Sequence, residues 1–176
     1  ALVAVPLWRG KPLYQSYLIV NEGSPSGTMA DLRGTIHAFS DPDSNSGFLV
    51  TRYVLATMNQ RPETFFSRFF FTYGHRNVIR AVAAGLAQSG SVDGYVWEVV
   101  NELEPSLTAG TRIVRKSELL GFPPVACSVR LAAQPRVRAI ADALVSMNGD
   151  DEGRRLLAPL HLDGFGREDP SLFDRI

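Results

Sequence analysis

Cysteine is nearly missing from this sequence: Cys127 stands alone among 176 residues. One thiol cannot close a disulfide within the chain, and no cysteine-based metal site can form. Cys127 itself reads as a small buried apolar residue on a strand. An excess of either charge is missing too. Eighteen Lys and Arg balance eighteen Asp and Glu. The basic stripe of a nucleic-acid binder is absent, so no nucleic-acid partner is expected. No apolar run approaches the roughly 20 residues needed to span a bilayer, so this chain carries no expected membrane span. The start shows no basic segment followed by an apolar stretch, as an export signal would. The three histidines, His37, His75 and His161, match no helical metal-ligand spacing. There is no G-x-S-x-G, and no glycine-rich loop carries a Walker lysine. No nucleophile and base stand at neighbouring positions. These absences point away from an enzyme and imply neither metal nor cofactor.

What remains is an ordinary globular composition, 45% hydrophobic and 20% charged, of a length that suits one large domain or two small lobes. The opening Ala1-Leu2-Val3-Ala4-Val5-Pro6 reads as the inside of a strand. Short runs rich in β-branched and aromatic residues predict strands at Ser16–Val20, Thr35–Phe39, Phe69–Tyr73, Gly94–Val99, Thr111–Val114 and Val125–Val129. Between them lie helical patterns. Phe48–Met58 places Val50, Val54 and Met58 on one face, and Arg76–Gln88 gathers Val78, Ile79, Val82 and Leu86. Pro62–Phe66 reads as a short helix opening on proline. Pro135–Met147 carries an apolar stripe of Val137, Ile140, Ala141 and Leu144, and Asp150–Leu160 starts with acidic residues at its positive end. Strand and helix alternate through the middle, which predicts an α/β fold with a mainly parallel sheet. The strands Thr111–Val114 and Val125–Val129 are expected in a second lobe.

In such sheets ligands bind beyond the carboxyl ends of the strands. Two loops hold that position. The first is Asp41-Pro42-Asp43-Ser44-Asn45-Ser46-Gly47, running into the Phe48 helix. Ser44, Asn45 and Ser46 offer hydroxyl and amide donors. The unpaired N–H groups and the dipole of the helix start suit phosphate-like oxygens without any lysine or arginine. A plain helix cap after a polar turn would look the same. The second loop is Tyr73-Gly74-His75-Arg76-Asn77. His75 either donates a ring N–H to the same anion or is a surface histidine near a helix start. Asp93 either accepts from a protonated ligand oxygen or amine, or is a solvated turn carboxylate. Tyr95 and Trp97 would share one strand face. Tyr14, just before a strand, either walls a ligand site or packs beneath a loop.

Several segments, in order, resemble the phosphate/phosphite/phosphonate-binding proteins of ABC transporters, a branch of the periplasmic binding protein superfamily. Gly10-Lys11-Pro12-Leu13-Tyr14 is similar to the family's Gly-Lys-Pro-x-Tyr segment, and Asp31-Leu32-Arg33-Gly34-Thr35 to its Asp-Leu-Lys-Gly-Lys turn. Ser44-Asn45-Ser46-Gly47 resembles its Ser-Thr-Ser-Gly anion loop. Tyr73-Gly74-His75 resembles its Gly-Ser-His loop, and Val92-Asp93 its Val-Asp strand. Ser117 with Gly121-Phe122-Pro123-Pro124 is similar to its return crossing.

The resemblance implies a periplasmic-binding-protein-like fold, one complete lobe plus part of a second, joined by hinge strands with the ligand between them. Residues 1–12 would end lobe one and enter the hinge, 13–110 would form lobe two with the anion loops, and 111–176 would return to lobe one. The stretch that opens lobe one in the family has no counterpart here. Ser44, Asn45, Ser46 and His75 would bind an anionic head, with Asp93 and Tyr14 near the ligand's other groups. The implied role is capture of a small oxyanion outside the cytoplasm for a membrane permease. Two other roles fit the same pattern: a sensory module of a signalling protein, or a transferase acting on a phosphorylated metabolite. Arg76, where the family carries an acidic residue, would either favour a more anionic ligand or form a surface ion pair.

Overall fold

The computed structural model describes residues 1–176. In chain order the elements are β1 (Leu2–Leu7), β2 (Leu13–Tyr14), β3 (Ser16–Asn21), β4 (Ile36–Phe39), α1 (Val50–Thr57), α2 (Pro62–Phe65), β5 (Arg68–Phe71) and α3 (His75–Ala83). There follow β6 (Ser89–Asp93), α4 (Gly94–Leu103), α5 (Pro105–Thr108), β7 (Thr111–Lys116), β8 (Leu120–Gly121), β9 (Val125–Ala126), α6 (Pro135–Ser146), α7 (Asp151–Leu157) and β10 (Gly164–Gly166). The chain forms two compact units. Unit 1 joins Ala1–Tyr14 to Leu119–Ile176, and unit 2 is the continuous stretch Gln15–Glu118. No helix is long and apolar enough to cross a membrane.

Unit 2 is built on a five-stranded sheet of order β5-β4-β6-β3-β7. β4 runs parallel to both β5 and β6, whereas β3 runs antiparallel to β6 and β7. The sheet is therefore mixed rather than mainly parallel. The strand expected to leave for a second lobe, β7, pairs along β3 from Asn21↔Thr111 to Tyr17↔Lys116 and belongs to this sheet. Alternation along β3 sorts the core into two layers. Tyr17 and Ile19 face Val78, Ile79 and Val82 of α3 and Val100 of α4. Leu18 and Val20 join Phe39, Leu55 of α1 and Phe65 and Phe66 on the other side. Each fully buried side chain of this size contributes about 1.5–3 kcal/mol. The approach of α3 is close: a Cβ at Gly90 would lie 2.5 Å from Val78 Cγ1, so only glycine fits there.

Two sequence expectations fail here for identifiable reasons. Gly94–Val99 is helix, not strand, and the strand is the preceding Ser89-Gly90-Ser91-Val92-Asp93. The Asp93 carboxylate accepts from the Tyr95 and Val96 amides, 2.8 and 3.3 Å away, and this cap starts α4 despite its β-branched run. Tyr95 and Trp97 thus share no strand face; Trp97 packs by Tyr17 and donates to Thr111 Oγ1 at 3.2 Å. On α1 the fully buried residues are Thr51 and Leu55; Val54 packs beside them partly buried, Val50 is half-buried and Met58 is exposed. Thr51 turns inward because its hydroxyl meets Ser91 Oγ at 2.6 Å.

Unit 1 holds a three-stranded sheet, β10-β1-β9, with both outer strands antiparallel to β1, and the small β2-β8 pair. The strand expected over Val125–Val129 stops at Ala126. Cys127 lies just beyond it, partly exposed, its amide donating to the Ala1 carbonyl at 2.9 Å.

Candidate functional site

β4, β5 and β6 are mutually parallel, so their carboxyl ends lie along one edge of the unit 2 sheet. The antiparallel β3 brings its first residue to that same edge, where Ser16 pairs with Asp93. Four segments therefore deliver polar side chains to one place.

The loop after β4 is held by its own turns: Ser44 N–H donates to the Asp41 carbonyl at 3.1 Å, and Asp43 N–H to the Asp41 carboxylate at 2.9 Å. A π-helical turn, Asn45–Leu49, then leads into α1. Such wide turns often mark functional sites. Ser44 caps it, accepting the Gly47 amide at 3.0 Å. Ser46, 3% exposed, turns inward, its carbonyl accepting the Ser16 hydroxyl at 2.6 Å. Its own hydroxyl points to Asp93 Oδ2 at 3.5 Å, the long limit of a hydrogen bond. Glycine is required at position 47, where a Cβ would fall 1.7 Å from Ser40 Oγ.

After β5, the Thr72 hydroxyl donates to the Gly74 carbonyl and Asn77 Nδ2 to the Thr72 carbonyl, both at 3.0 Å. This bracing sets His75 at the start of α3. The Asp93 amide donates to His75 Nδ1 at 3.1 Å. Nδ1 therefore carries no proton, and the neutral ring bears its hydrogen on Nε2. Burial pushes the imidazole down to about 4, against a smaller upward pull from the Asp41 carboxylate. His75 is thus a neutral N–H donor near pH 7.

Asp93, 5% exposed, is pushed up to about 6 by burial, against the Val96 and Tyr95 amides and the Ser46 hydroxyl, which hold it down. No lysine or arginine takes part in this set. Arg76 pairs instead with Glu104, the surface ion pair of the two expected roles.

The structure thus brings Ser44, Asn45 and Ser46 together on one turn and links Ser46 and His75 to Asp93. Tyr14 belongs to unit 1, where it is 2% exposed and packs on Phe122 at 5.7 Å between ring centres. Its packing is that of a core residue. Sequence reasoning missed Ser16, whose only signal was its place at a strand start. It also missed Ser40, whose buried Oγ lacks a hydrogen-bond partner. Beneath the edge lies a second polar set. His37, fully buried, meets Ser89 Oγ at 2.7 Å and Ser91 Oγ at 2.9 Å, and Ser91 meets Thr51. No group of three or more His, Cys, Asp or Glu side chains is placed to hold a metal.

A cluster of hydroxyl, amide and imidazole donors without a cation can hold a small oxyanion through hydrogen bonds and helix-start dipoles. The model of the ABC transporter phosphonate periplasmic substrate-binding protein family matches residues 1–173. The chain belongs to that family. Its fold is that of the periplasmic binding proteins, and the family's members serve transport by binding solutes. No curated protein matches the chain. A binding protein component of an ABC phosphonate transporter from Pseudomonas aeruginosa superposes with a TM-score of 0.85 at 24% identity, over 97% of this chain and 58% of that one. PhnD1 from Prochlorococcus marinus, solved with methylphosphonate, gives 0.82 at 15% identity, over 97% and 66%. A Xanthomonas citri protein solved with ATP gives 0.74 at 18% identity, over 98% and 66%. The chain thus spans between about half and two thirds of the length of these family-like structures.

Proposed function

We propose that this chain is the solute-binding component of an ABC transporter and that unit 2 captures the oxyanion head of a phosphonate, phosphite or phosphate-like ligand. The observation that carries this reading is the Asp93 amide on His75 Nδ1, which commits the ring to donate through Nε2 at the edge where Ser44, Asn45 and Ser46 stand. Neutral donors at helix starts bind an anion through dipoles and hydrogen bonds, without a counter-ion. The Asp93 carboxylate would repel a fully ionised ligand, so it favours one that keeps a protonated oxygen to donate. Four or five charge-assisted bonds of about 1.5–3 kcal/mol each support micromolar affinity, about −8 kcal/mol, once ordering costs are subtracted. The partner this implies is a membrane permease, and the place of action is extracytoplasmic. Reversible binding rather than turnover is in line with the solute-binding family whose model matches the chain.

Titration calorimetry of the full-length protein with methylphosphonate, phosphite and phosphate tests the reading. At least one should bind near micromolar, and Ser46→Ala and His75→Ala should each weaken it about tenfold or more. Binding by none of the three, or affinity untouched by both substitutions, would refute the anion site.

A further inference from the structure

Tyr73 has two properties that oppose each other. Its backbone sits at φ +55, the left-handed region that favours glycine, and its side chain is 75% exposed. An exposed tyrosine gains little from burial that could offset such strain, and residues held this way concentrate at functional sites. The bracing of Thr72 on Gly74 and of Asn77 on Thr72 holds this conformation from both sides.

The ring is not isolated. Its centre lies 6.5 Å from that of Phe71, which lies 5.1 Å from that of Phe48. Phe48 directly follows the Ser44–Gly47 turn, and His75 stands two residues after Tyr73. An aromatic path therefore runs from one donor loop to the other along the sheet edge, and Tyr73 is its solvent-facing end. A bare oxyanion has no use for such a surface, whereas an oxyanion bearing an apolar carbon group does.

We propose that Tyr73 is a specificity-determining residue, whose ring meets the organic substituent of a carbon-substituted phosphonate and selects it over a bare phosphate. This rests on the anion site described above. Calorimetry on the full-length protein should use methylphosphonate, phenylphosphonate and inorganic phosphate against Tyr73→Gly, Tyr73→Ala and Tyr73→Phe. The unsubstituted protein should bind phenylphosphonate more tightly than phosphate. Tyr73→Gly and Tyr73→Ala should weaken phenylphosphonate about tenfold and methylphosphonate less than about twofold, while Tyr73→Phe keeps both. Tyr73→Gly should also melt no lower than the parent, because glycine accepts this backbone freely, so it remains informative where Tyr73→Ala folds poorly. Equal losses for the two phosphonates, or no loss for either, overturn the role of Tyr73 and leave the anion site standing. Failure of the unsubstituted protein to bind any of the three, or phosphite, overturns both.

Discussion

Two histidines of unit 2 show how burial can seal a polar group or prepare it. His37 and His75 are both pushed well down by desolvation, to about 3 and about 4, and both are neutral near pH 7. His37 has both ring nitrogens against serine hydroxyls and a ring stacked on Phe66 at 4.4 Å. Its hydrogen-bonding capacity is spent inside the protein, so its contribution is to stability. His75 has Nδ1 committed to the Asp93 amide, which leaves the ring proton on Nε2. The first arrangement ties β4 to β6 and, through Thr51, to α1; the second ties the end of β6 to the start of α3 and leaves the Nε2 proton for the proposed anion.

The largest expected break between the two is in stability. His37→Ala removes the stacked ring and strands Ser89, and should cost about 3–4 kcal/mol in denaturant unfolding. His75→Ala, at the sheet edge, should cost about 1 kcal/mol or less without ligand. Equal costs would erase the distinction. Next comes pH. Both histidines bind protons more readily when unfolded, so the stability they add above pH 6.5 is lost as pH falls toward 4 and 3. Asp93, held up to about 6, works in the opposite sense, since the folded state holds its extra proton. Between pH 4 and 6 these three groups together bind about one more proton in the unfolded chain, so they lower stability by about 1.4 kcal/mol per pH unit on acidification. His75→Gln should flatten that slope, which unfolding curves at several pH values would reveal. Smallest is Ser40→Ala. Its hydroxyl is buried without a partner, so removal should leave stability unchanged or raise it by up to about 1 kcal/mol. A clear loss in melting temperature would mean that the hydroxyl is satisfied in solution.

The two polar loops at helix starts are legible in the sequence because their signals are local. A polar turn running into an amphipathic helix announces itself at Ser44–Ser46 and again at His75. The α/β class was legible for the same reason. What sequence reasoning missed depends on residues distant in the chain. The helix after Asp93 was read as a strand because Tyr95, Val96 and Trp97 carry β propensity, while the cap that overrides it is one carboxylate. The burial of Thr51 is not legible from its own helix, because only Ser91, on another element, explains it. The place of β7 in the unit 2 sheet follows from pairings such as Asn21↔Thr111 and Tyr17↔Lys116, far apart in the chain, and pairing of Tyr14 with Leu120 likewise decides between its two readings in favour of packing.

Unit 2 is one uninterrupted stretch whose two ends are stitched together: Ser16 N–H donates to Ser117 Oγ, Ser117 N–H to the Ser16 carbonyl, and Gln15 Nε2 to the Ser117 carbonyl. Unit 1 has its opening strand on one side of that stretch and β8, β9 and β10 on the other. During synthesis from the amino terminus, β1 thus emerges long before either strand that flanks it. The inserted unit can be closed at its base and assembled while β1 still waits for β9 and β10, so the edges of β1 stay unpaired through the synthesis of the whole inserted stretch.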